Sequence, residues 1–444
     1  MADSDTIFAL ATPPGRSALA VIRISGSKAG TIVESLTKRA CAPARVVSLR
    51  FLFDPLSSQK LDQALVTFFK GPASFTGENL AELYLHGGRG VIAAVCAALS
   101  GMEGVRGAEP GEFTRRAFRA GKFDLTQAEA IADLIDSETE FQRRQALRLI
   151  EGGLGQLAAH WQSILISIVA ELESALDFSD EGDVGVTDVA GAIDMARNLI
   201  EEVTREIAAG ARSSALRDGF TIVISGPPNA GKSTLFNKLA GSDIAIVSEF
   251  AGTTRDLLRV HLDLQGVPVT MVDSAGIREA ENAVERIGIE RALSAVSSAD
   301  LVVRLRSGDT LDARDALDER AADFGGAVLD VWSKADIFPP PPGMLAISSN
   351  DSDSISSLAC AVRERAIVAV GDGSEGVVVR ERHRRALREL ILSMDRFITL
   401  CHENRLELAV EDCRAGNLHL QAISGGFGVE DVLDEIFQRF CIGK

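Results

Sequence analysis

The sequence predicts a multidomain α/β chain in which a helical domain is interrupted by a block built on a parallel sheet. Three observations lead there. Residues 1–120 alternate short β-like runs with Gly/Pro punctuation. Long helical periodicity fills the stretches before residue 216 and after residue 376. Between them, strands and helices alternate around a glycine-rich loop. A chain of 444 residues accommodates about two to three domains.

In the first 120 residues, Leu19 to Ile24 and Ala64 to Phe69 read as strands, and Val91 to Leu99 as a helix after the turn signal His86-Gly87-Gly88. This is a small α/β domain. The character changes near 120. Thr126 and Glu129 have the spacing of a capping box, and Ile131, Leu134, Ile135, Leu147 and Ile150 follow at helical spacing up to Gly152-Gly153. A second helix is expected over 154–177, then an acidic loop from Asp180 to Thr187, then a third helix over 188–215. The α/β block spans 216–376 and ends after Pro339 to Pro342, a Ser/Asp-rich stretch and the Gly371-Asp372-Gly373 linker. Residues 377–414 return to helical periodicity, and 429–440 form one more amphipathic helix. The boundaries expected are therefore 1–120, 121–215, 216–376 and 377–444, with the third domain inserted between two parts of the helical one.

Composition narrows the function. The chain is 46% hydrophobic and 25% charged, enough to build cores, and its formal net charge is −17. Broad nonspecific binding to nucleic acid or to an anionic membrane is not expected of so acidic a surface; an RNA partner must meet a local basic patch. The N-terminus, MADSDTIF, has no basic n-region, so neither a secretory signal nor a transit peptide is expected. The apolar run Ile164 to Val169 is too short to span a bilayer. Six cysteines occur without a CxxC pair, which points to a reduced, cytoplasmic protein with neither a zinc site nor a disulfide framework.

The chemistry gathers in the inserted block. Thr221 to Ser225 is a buried-strand run leading into Gly226-Pro-Pro-Asn229-Ala230-Gly231-Lys232-Ser233 and then a helix, Thr234 to Leu239. This is GxxxxGK[ST] in its strand–loop–helix context. Such a loop turns backbone N–H groups toward phosphates, and the helix N-terminus adds positive charge. Lys232 is placed to reach the β- and γ-phosphates of a nucleotide, and Ser233 to give an oxygen to Mg²⁺. Asp273-Ser274-Ala275-Gly276 follows the strand Val267 to Val272 and is placed to hold Mg²⁺ through water and to sense the γ-phosphate. The stretch between Lys232 and Asp273 leaves room for a switch loop, and Gly252-Thr253-Thr254-Arg255-Asp256 supplies one. Ser333-Lys334-Ala335-Asp336, after the strand Ala327 to Trp332, reads guanine through Asp336. Ser333 stands where NKxD has Asn; being shorter, it is expected to lose a bond that braces this loop. Ile347-Ser348-Ser349 is a candidate last base-contacting loop. Ile277 lies where many Ras-like GTPases carry a catalytic Gln, so the catalytic group must come from elsewhere.

At this point the chain resembles the tRNA modification GTPase MnmE (TrmE) family along essentially its whole length. The resemblance is carried by Ala11 to Arg16, Phe75-Thr-Gly-Glu78, Pro110 to Thr114, Gly121 to Glu129, Pro228 to Ser233, Ala251 to Asp256 and the terminal Cys441-Ile-Gly-Lys444. It implies an N-terminal folate-binding and dimerisation domain, a central α-helical domain and an inserted Ras-like P-loop G domain. It implies a homodimer that forms a heterotetramer with a flavin-dependent partner, MnmG (GidA). Together they would install an aminomethyl-type group, such as carboxymethylaminomethyl, at C5 of the wobble uridine of certain tRNAs.

The resemblance also assigns residues. Nucleotide contacts fall on Asn229, Ala230, Gly231, Lys232, Ser233, Thr234, Ser248, Thr253, Thr254, Asp273, Ala275, Gly276, Lys334 and Asp336. Ser233 and Thr254 match Mg²⁺ ligands; Asn229, Ser248, Phe250 and Thr253 match a K⁺ site that activates hydrolysis when G domains dimerise. Glu285 matches the family's water-orienting carboxylate. Arg23, Glu82, Lys122 and Lys444 match the pocket for 5-formyl-tetrahydrofolate or a related one-carbon folate, and Cys441 is expected to act in the modification chemistry. Read alone, each of the folate-pocket charges is a solvated surface group and Cys441 a buried, inert thiol. Two rivals remain: a GTPase that only gates a partner, and a ribosome-assembly GTPase, which would want a basic RNA-binding extension.

Overall fold

A computed structural model of the chain describes residues 5–177, 189–246, 259–273, 299–310, 326–374, 376–426, 433, 436–438 and 440–443. By packing, the chain forms two compact units, residues 1–132 with 421–444, and residues 133–420.

The first unit is built on a six-stranded sheet in the order β3-β4-β5-β2-β1-β6. Its strands are β1 Thr6–Leu10, β2 Leu19–Ser25, β3 Ser48–Phe53, β4 Lys60–Phe69, β5 Leu80–His86 and β6 Val105–Gly107. One face packs Ile22, Ile24, Leu83 and Leu85 against helices Ala29–Thr37 and Arg89–Ser100. On the other, Ile7 and Ala9 meet the fully buried Phe113 of helix Glu112–Arg119. Glu112 is itself completely buried, and holds Arg106 at 2.7 Å and Arg116 at 2.9 Å. Burial would push its carboxyl up; hydrogen bonds from Arg106, the Glu109 N–H and Arg116 outweigh that and hold it at about 2.

Helix Leu125–Asp136 begins where expected, but its capping box is not Thr126 with Glu129. Asp124 accepts from the Gln127 N–H at 2.9 Å, and the Gln127 side chain accepts from the Asp124 N–H at 3.0 Å. Both pairs satisfy the spacing; Glu129 is buried inside the helix, leaving Asp124 to start the first turn.

The second unit contains the helical segments Glu140–Ile150, Gly153–Asp177, Ala190–Asp218 and Glu381–His402, and helix Leu406–Ser424 up to Leu420. The apolar pattern read through residue 150 is broken at Ser137 to Thr139, where Thr139 and Gln142 form a second capping box. Trp161 is fully buried among these helices, its indole N–H donating to Glu202 at 3.3 Å.

The inserted block is a seven-stranded sheet in the order β13-β12-β11-β7-β10-β9-β8. Its members are β7 Phe220–Ser225, β8 Ala245–Ile246, β9 Arg259–Leu264, β10 Val267–Asp273, β11 Leu301–Arg306, β12 Ala327–Trp332 and β13 Leu345–Ala346. From β13 to β10 all neighbours are parallel, as expected. The sheet is not parallel throughout: β9 runs antiparallel to β10, and β8 to β9. The two-residue turn Gln265-Gly266, both at positive φ, forces the β9–β10 pairing, since so short a link joins only antiparallel strands. The segment 429–440, expected to be helical, falls mostly outside the described residues. No helix among them is long and apolar enough to cross a membrane, and all six cysteines are free.

Candidate functional site

In the inserted block, β7 is flanked by β10 and β11, and its carboxyl end runs into the glycine-rich loop and then helix Lys232–Ala240. Ligands of open α/β sheets bind at this edge. The loop passes so close to β11 that a Cβ on Gly226 would lie 2.5 Å from the Leu305 carbonyl oxygen. Asn229 takes a left-handed φ of 64°, within the turn. The Lys232 ammonium donates to the carbonyls of Gly226 at 2.5 Å and Pro227 at 3.0 Å, which holds its charge across the loop. Ala230 is buried, whereas Ser233 and Thr234 are exposed on the first helical turn. The Ser233 hydroxyl has no hydrogen bond among the described residues, so it suits a hard cation. In backbone register Asp273 pairs with Ile224, which puts the end of β10 beside the strand that enters the loop. Ser248, Phe250, Thr253, Thr254, Ala275, Gly276, Ile277 and Glu285, together with the side chain of Asp273, lie outside the described residues.

The Ser333–Asp336 loop overturns one expectation. Ser333 does not cost the loop its brace. Its buried hydroxyl donates to the Ala230 carbonyl at 2.7 Å, tying the loop to the phosphate loop directly. The Ser333 N–H also donates to Arg306 at 2.7 Å. Lys334, at a φ of 56°, extends its ammonium to Asp309 at 2.6 Å. Asp336 is exposed. Chiefly the Ser348 hydroxyl, with help from Asn350, holds its carboxyl below the usual range. Ala335 N–H donates to Ile347 at 3.1 Å, and Ile347 N–H to Trp332 at 2.7 Å, so Ile347-Ser348-Ser349 does adjoin the Asp336 loop. Trp332 is buried at the foot of this loop, its indole N–H donating to Phe338 at 2.8 Å.

In the first unit, three of the four folate-pocket expectations are described. Arg23 and Glu82 face each other across β2 and β5, with Nε to Oε1 at 2.9 Å. The other Glu82 oxygen accepts from the Tyr84 hydroxyl at 2.5 Å. Burial, and then Glu82, push that hydroxyl up to about 12. Arg23 lies 5.6 Å from the Phe75 ring centroid, and Phe75 is 5.9 Å from Phe123, the neighbour of Lys122. Lys122 Nζ donates to the Pro72 carbonyl. In the same row, Thr67 faces Glu82 from β4, and its buried hydroxyl has no hydrogen-bond partner among the described residues. An orphaned hydroxyl beside a carboxylate and two aromatic rings fits a polar aromatic ligand such as a pterin. Spacing missed Tyr84, Thr67, Phe75 and Phe123. One signal was available: Tyr84 is the chain's single tyrosine and lies two residues from Glu82 on one strand.

The C-terminal tail belongs to this unit. Ile442 forms an isolated antiparallel bridge with Pro110, and a Cβ on Gly443 would lie 2.2 Å from the Leu10 carbonyl oxygen. Leu10 pairs with Ile22 on the strand that carries Arg23, which brings the tail alongside the row. Cys441 is exposed; Lys444 lies outside the described residues.

Two family models match the chain. One, described as the MnmE helical domain, covers residues 125–441, and the other, the GTP-binding protein TrmE N-terminus, covers residues 6–122. The tRNA modification GTPase MnmE of Methylobacterium sp. (strain 4-46) is 44% identical over 447 residues, 99% of this chain and 100% of that protein. The protein of the same name from Methylorubrum populi is 45% identical over 443 residues, 99% of this chain and 98% of that one. Among solved structures, the FeoB G-domain from Methanococcus jannaschii is 21% identical over 33% of this chain and 98% of that chain, with a TM-score of 0.26.

Proposed function

The chain belongs to the MnmE family of tRNA modification GTPases, and from that premise we propose that it hydrolyses GTP in its inserted block and couples the hydrolysis to modification of the wobble uridine of certain tRNAs. The observation that supports this best is the Ser333–Ala230 hydrogen bond, which joins a phosphate loop to a guanine-reading loop so that one nucleotide engages both.

In this reading the amides of Asn229 to Thr234 and the Lys232 ammonium bind the phosphates, and Asp336 accepts from the guanine N1–H and amino group, a pattern adenine cannot match. Lys334 lies along the base. Ser233 and Thr254 hold Mg²⁺, with Asp273, Ala275 and Gly276 facing the γ-phosphate. Asn229, Ser248, Phe250 and Thr253 hold K⁺. When bound, the two cations supply positive charge against the phosphates. Glu285 orients the attacking water, the task left open by Ile277, and Lys232 with the loop amides meets the charge that develops on the phosphoryl oxygens.

In the first unit, Arg23, Glu82, Lys122 and Lys444 bind a one-carbon folate such as 5-formyl-tetrahydrofolate. The folate supplies a one-carbon unit when bound. Glu82 accepts from the amino-pyrimidine edge, Phe75 flanks the ring, and the lysines attract the anionic tail. The chain acts as a cytoplasmic homodimer, in complex with flavin-dependent MnmG, on tRNA, with Cys441 taking part in the modification step.

Comparing turnover of GTP and ATP in potassium and in sodium tests the reading. Faster GTP turnover in potassium is expected, with the GTP preference erased by Asp336→Ala. Equal rates in both salts, or discrimination that survives the loss of Asp336, would overturn it.

A further inference from the structure

One turn of one helix touches the inserted block at three places: its β9–β10 hairpin, the chain's entry and the chain's exit. The helix is Glu140–Ile150, and the turn is its first. Phe141 packs against the core of the α/β block, and its N–H donates to the Gly266 carbonyl at 3.4 Å. Gly266 sits at the tip of the β9–β10 hairpin with a φ of 94°, and a Cβ there would lie 2.9 Å from two carbons of the Phe141 ring. The Phe141 carbonyl oxygen comes equally close to the chain's exit, 2.8 Å from where a Cβ on Gly373 would stand. Gln142 holds the entry: its side-chain amide donates to the Leu216 carbonyl at 3.4 Å and the Arg217 carbonyl at 3.2 Å. Beside this turn, Glu138 reaches His261 of β9 at 3.3 Å.

The hairpin tip is one end of β10. The other end is Asp273, paired in register with Ile224 beside the phosphate loop. Between them β10 is hydrogen-bonded to β7 on one side and to β9 on the other. A strand held on both edges does not buckle; a shift at one end appears at the other, about 20 Å away.

We propose that β10 works as a rod between the nucleotide site and the helical domain, and that Phe141 is the positioning residue that converts its movement into a change of angle between the two. The tip of the rod pushes on a ring that cannot retreat, because the same helical turn is fixed to the chain's entry by Gln142 and crowded against its exit at Gly373. The proposal rests on the reading of the block as a GTP-binding domain.

The test uses the full-length chain with spin labels on non-natural residues at Ser163, on helix Gly153–Asp177, and Ser356, on helix Ser352–Val370. Both positions are exposed. The label-to-label distance is measured with GDP and with a non-hydrolysable GTP analogue, alongside nucleotide affinity. The distance in the wild-type chain should differ between the two nucleotides. Phe141→Ala should keep affinity within about twofold and lose more than half of the nucleotide-dependent change, and Phe141→Leu should restore most of it. Should Phe141→Ala fold poorly, Gln142→Ala keeps the ring and frees the end of helix Ala190–Asp218, which leads into the block, and should show the same split. A full distance change in Phe141→Ala or Gln142→Ala, or none in a wild-type chain that binds both nucleotides, would overturn the proposal. A wild-type chain that binds neither nucleotide would instead overturn the assignment of the block to GTP.

Discussion

The hydroxyl of Ser333 donates to the carbonyl of Ala230 at 2.7 Å, so the Ser333–Asp336 loop and the glycine-rich loop share one buried hydrogen bond. Ser333→Ala leaves that carbonyl without its side-chain donor, at a cost of about 1 kcal/mol, or roughly fivefold in GTP affinity. Ser333→Asn, which restores the commoner motif, should give no gain, since the site is buried and already braced. Calorimetric titration of GTP and GDP into the two variants measures both effects. Tighter binding by Ser333→Asn would show that the hydroxyl is a poor substitute.

Hydrolysis should depend on Glu285 and Asn229 in separable ways. Glu285→Ala is expected to lose on the order of 10²-fold in rate with nucleotide affinity retained, because in the proposed function Glu285 only orients the water. Asn229→Ala should lose the advantage of potassium over sodium. Steady-state turnover in the two salts distinguishes them, and a fully active Glu285→Ala would return the question to Ile277's neighbours or to a partner.

Acid stability should carry the mark of Glu112. Its folded carboxyl is held at about 2, against 4.5 for the free group, by Arg106, the Glu109 N–H and Arg116 acting against burial. A lowered value means stability that is present above the ordinary range and fades as pH falls from about 4.5 towards 2. The amount is ~3 kcal/mol. Denaturant midpoints across that window should fall steeply in the wild-type chain and more shallowly in Glu112→Gln, which starts lower because two arginines lose their shared anion. Parallel slopes would mean that other carboxylates govern acid unfolding.

Cys441→Ser should stop tRNA modification and leave GTP turnover nearly unchanged. Cys441 is exposed beside a tail that packs on Leu10, whereas burial pushes the Cys401 and Cys413 thiols up to about 11 and 12. Those two should tolerate alanine in the modification assay, as should Cys41, Cys96 and Cys360. Normal modification by Cys441→Ser would reduce this residue to packing.

Local spacing revealed some of this chain and hid the rest. The phosphate loop was legible because strand, glycines, Lys232 and helix lie consecutively. So were the β7, β10 and β12 runs, each a block of apolar residues ending at a polar motif. The brace on Ser333 was not, since its partner is Ala230, on a loop joined to it only through the fold. Thr126 and Glu129 matched the capping pattern as well as Asp124 and Gln127 did. What separates them is that the helix starts at Leu125, with both Thr126 and Glu129 buried inside it and the reciprocal bonds made by Asp124 and Gln127. The antiparallel edge was recoverable from Gln265-Gly266 between two apolar runs. The row Thr67–Glu82–Arg23 is a property of strand register, which no single stretch of sequence contains.

The two tryptophans of this chain fall in places that make them optical reporters of different events. Trp332 sits under the Ser333–Asp336 loop with its indole N–H on Phe338, while Trp161 is sealed among helices with its own on Glu202. A nucleotide that settles on the Asp336 loop changes the field around the first indole and leaves the second in the same surroundings. Emission from a Trp161→Phe chain is therefore expected to respond, while the α/β block stays folded, to a nucleotide on the Asp336 loop. Emission from a Trp332→Phe chain follows the integrity of the helical core, so filling and unfolding can be told apart without attaching a dye.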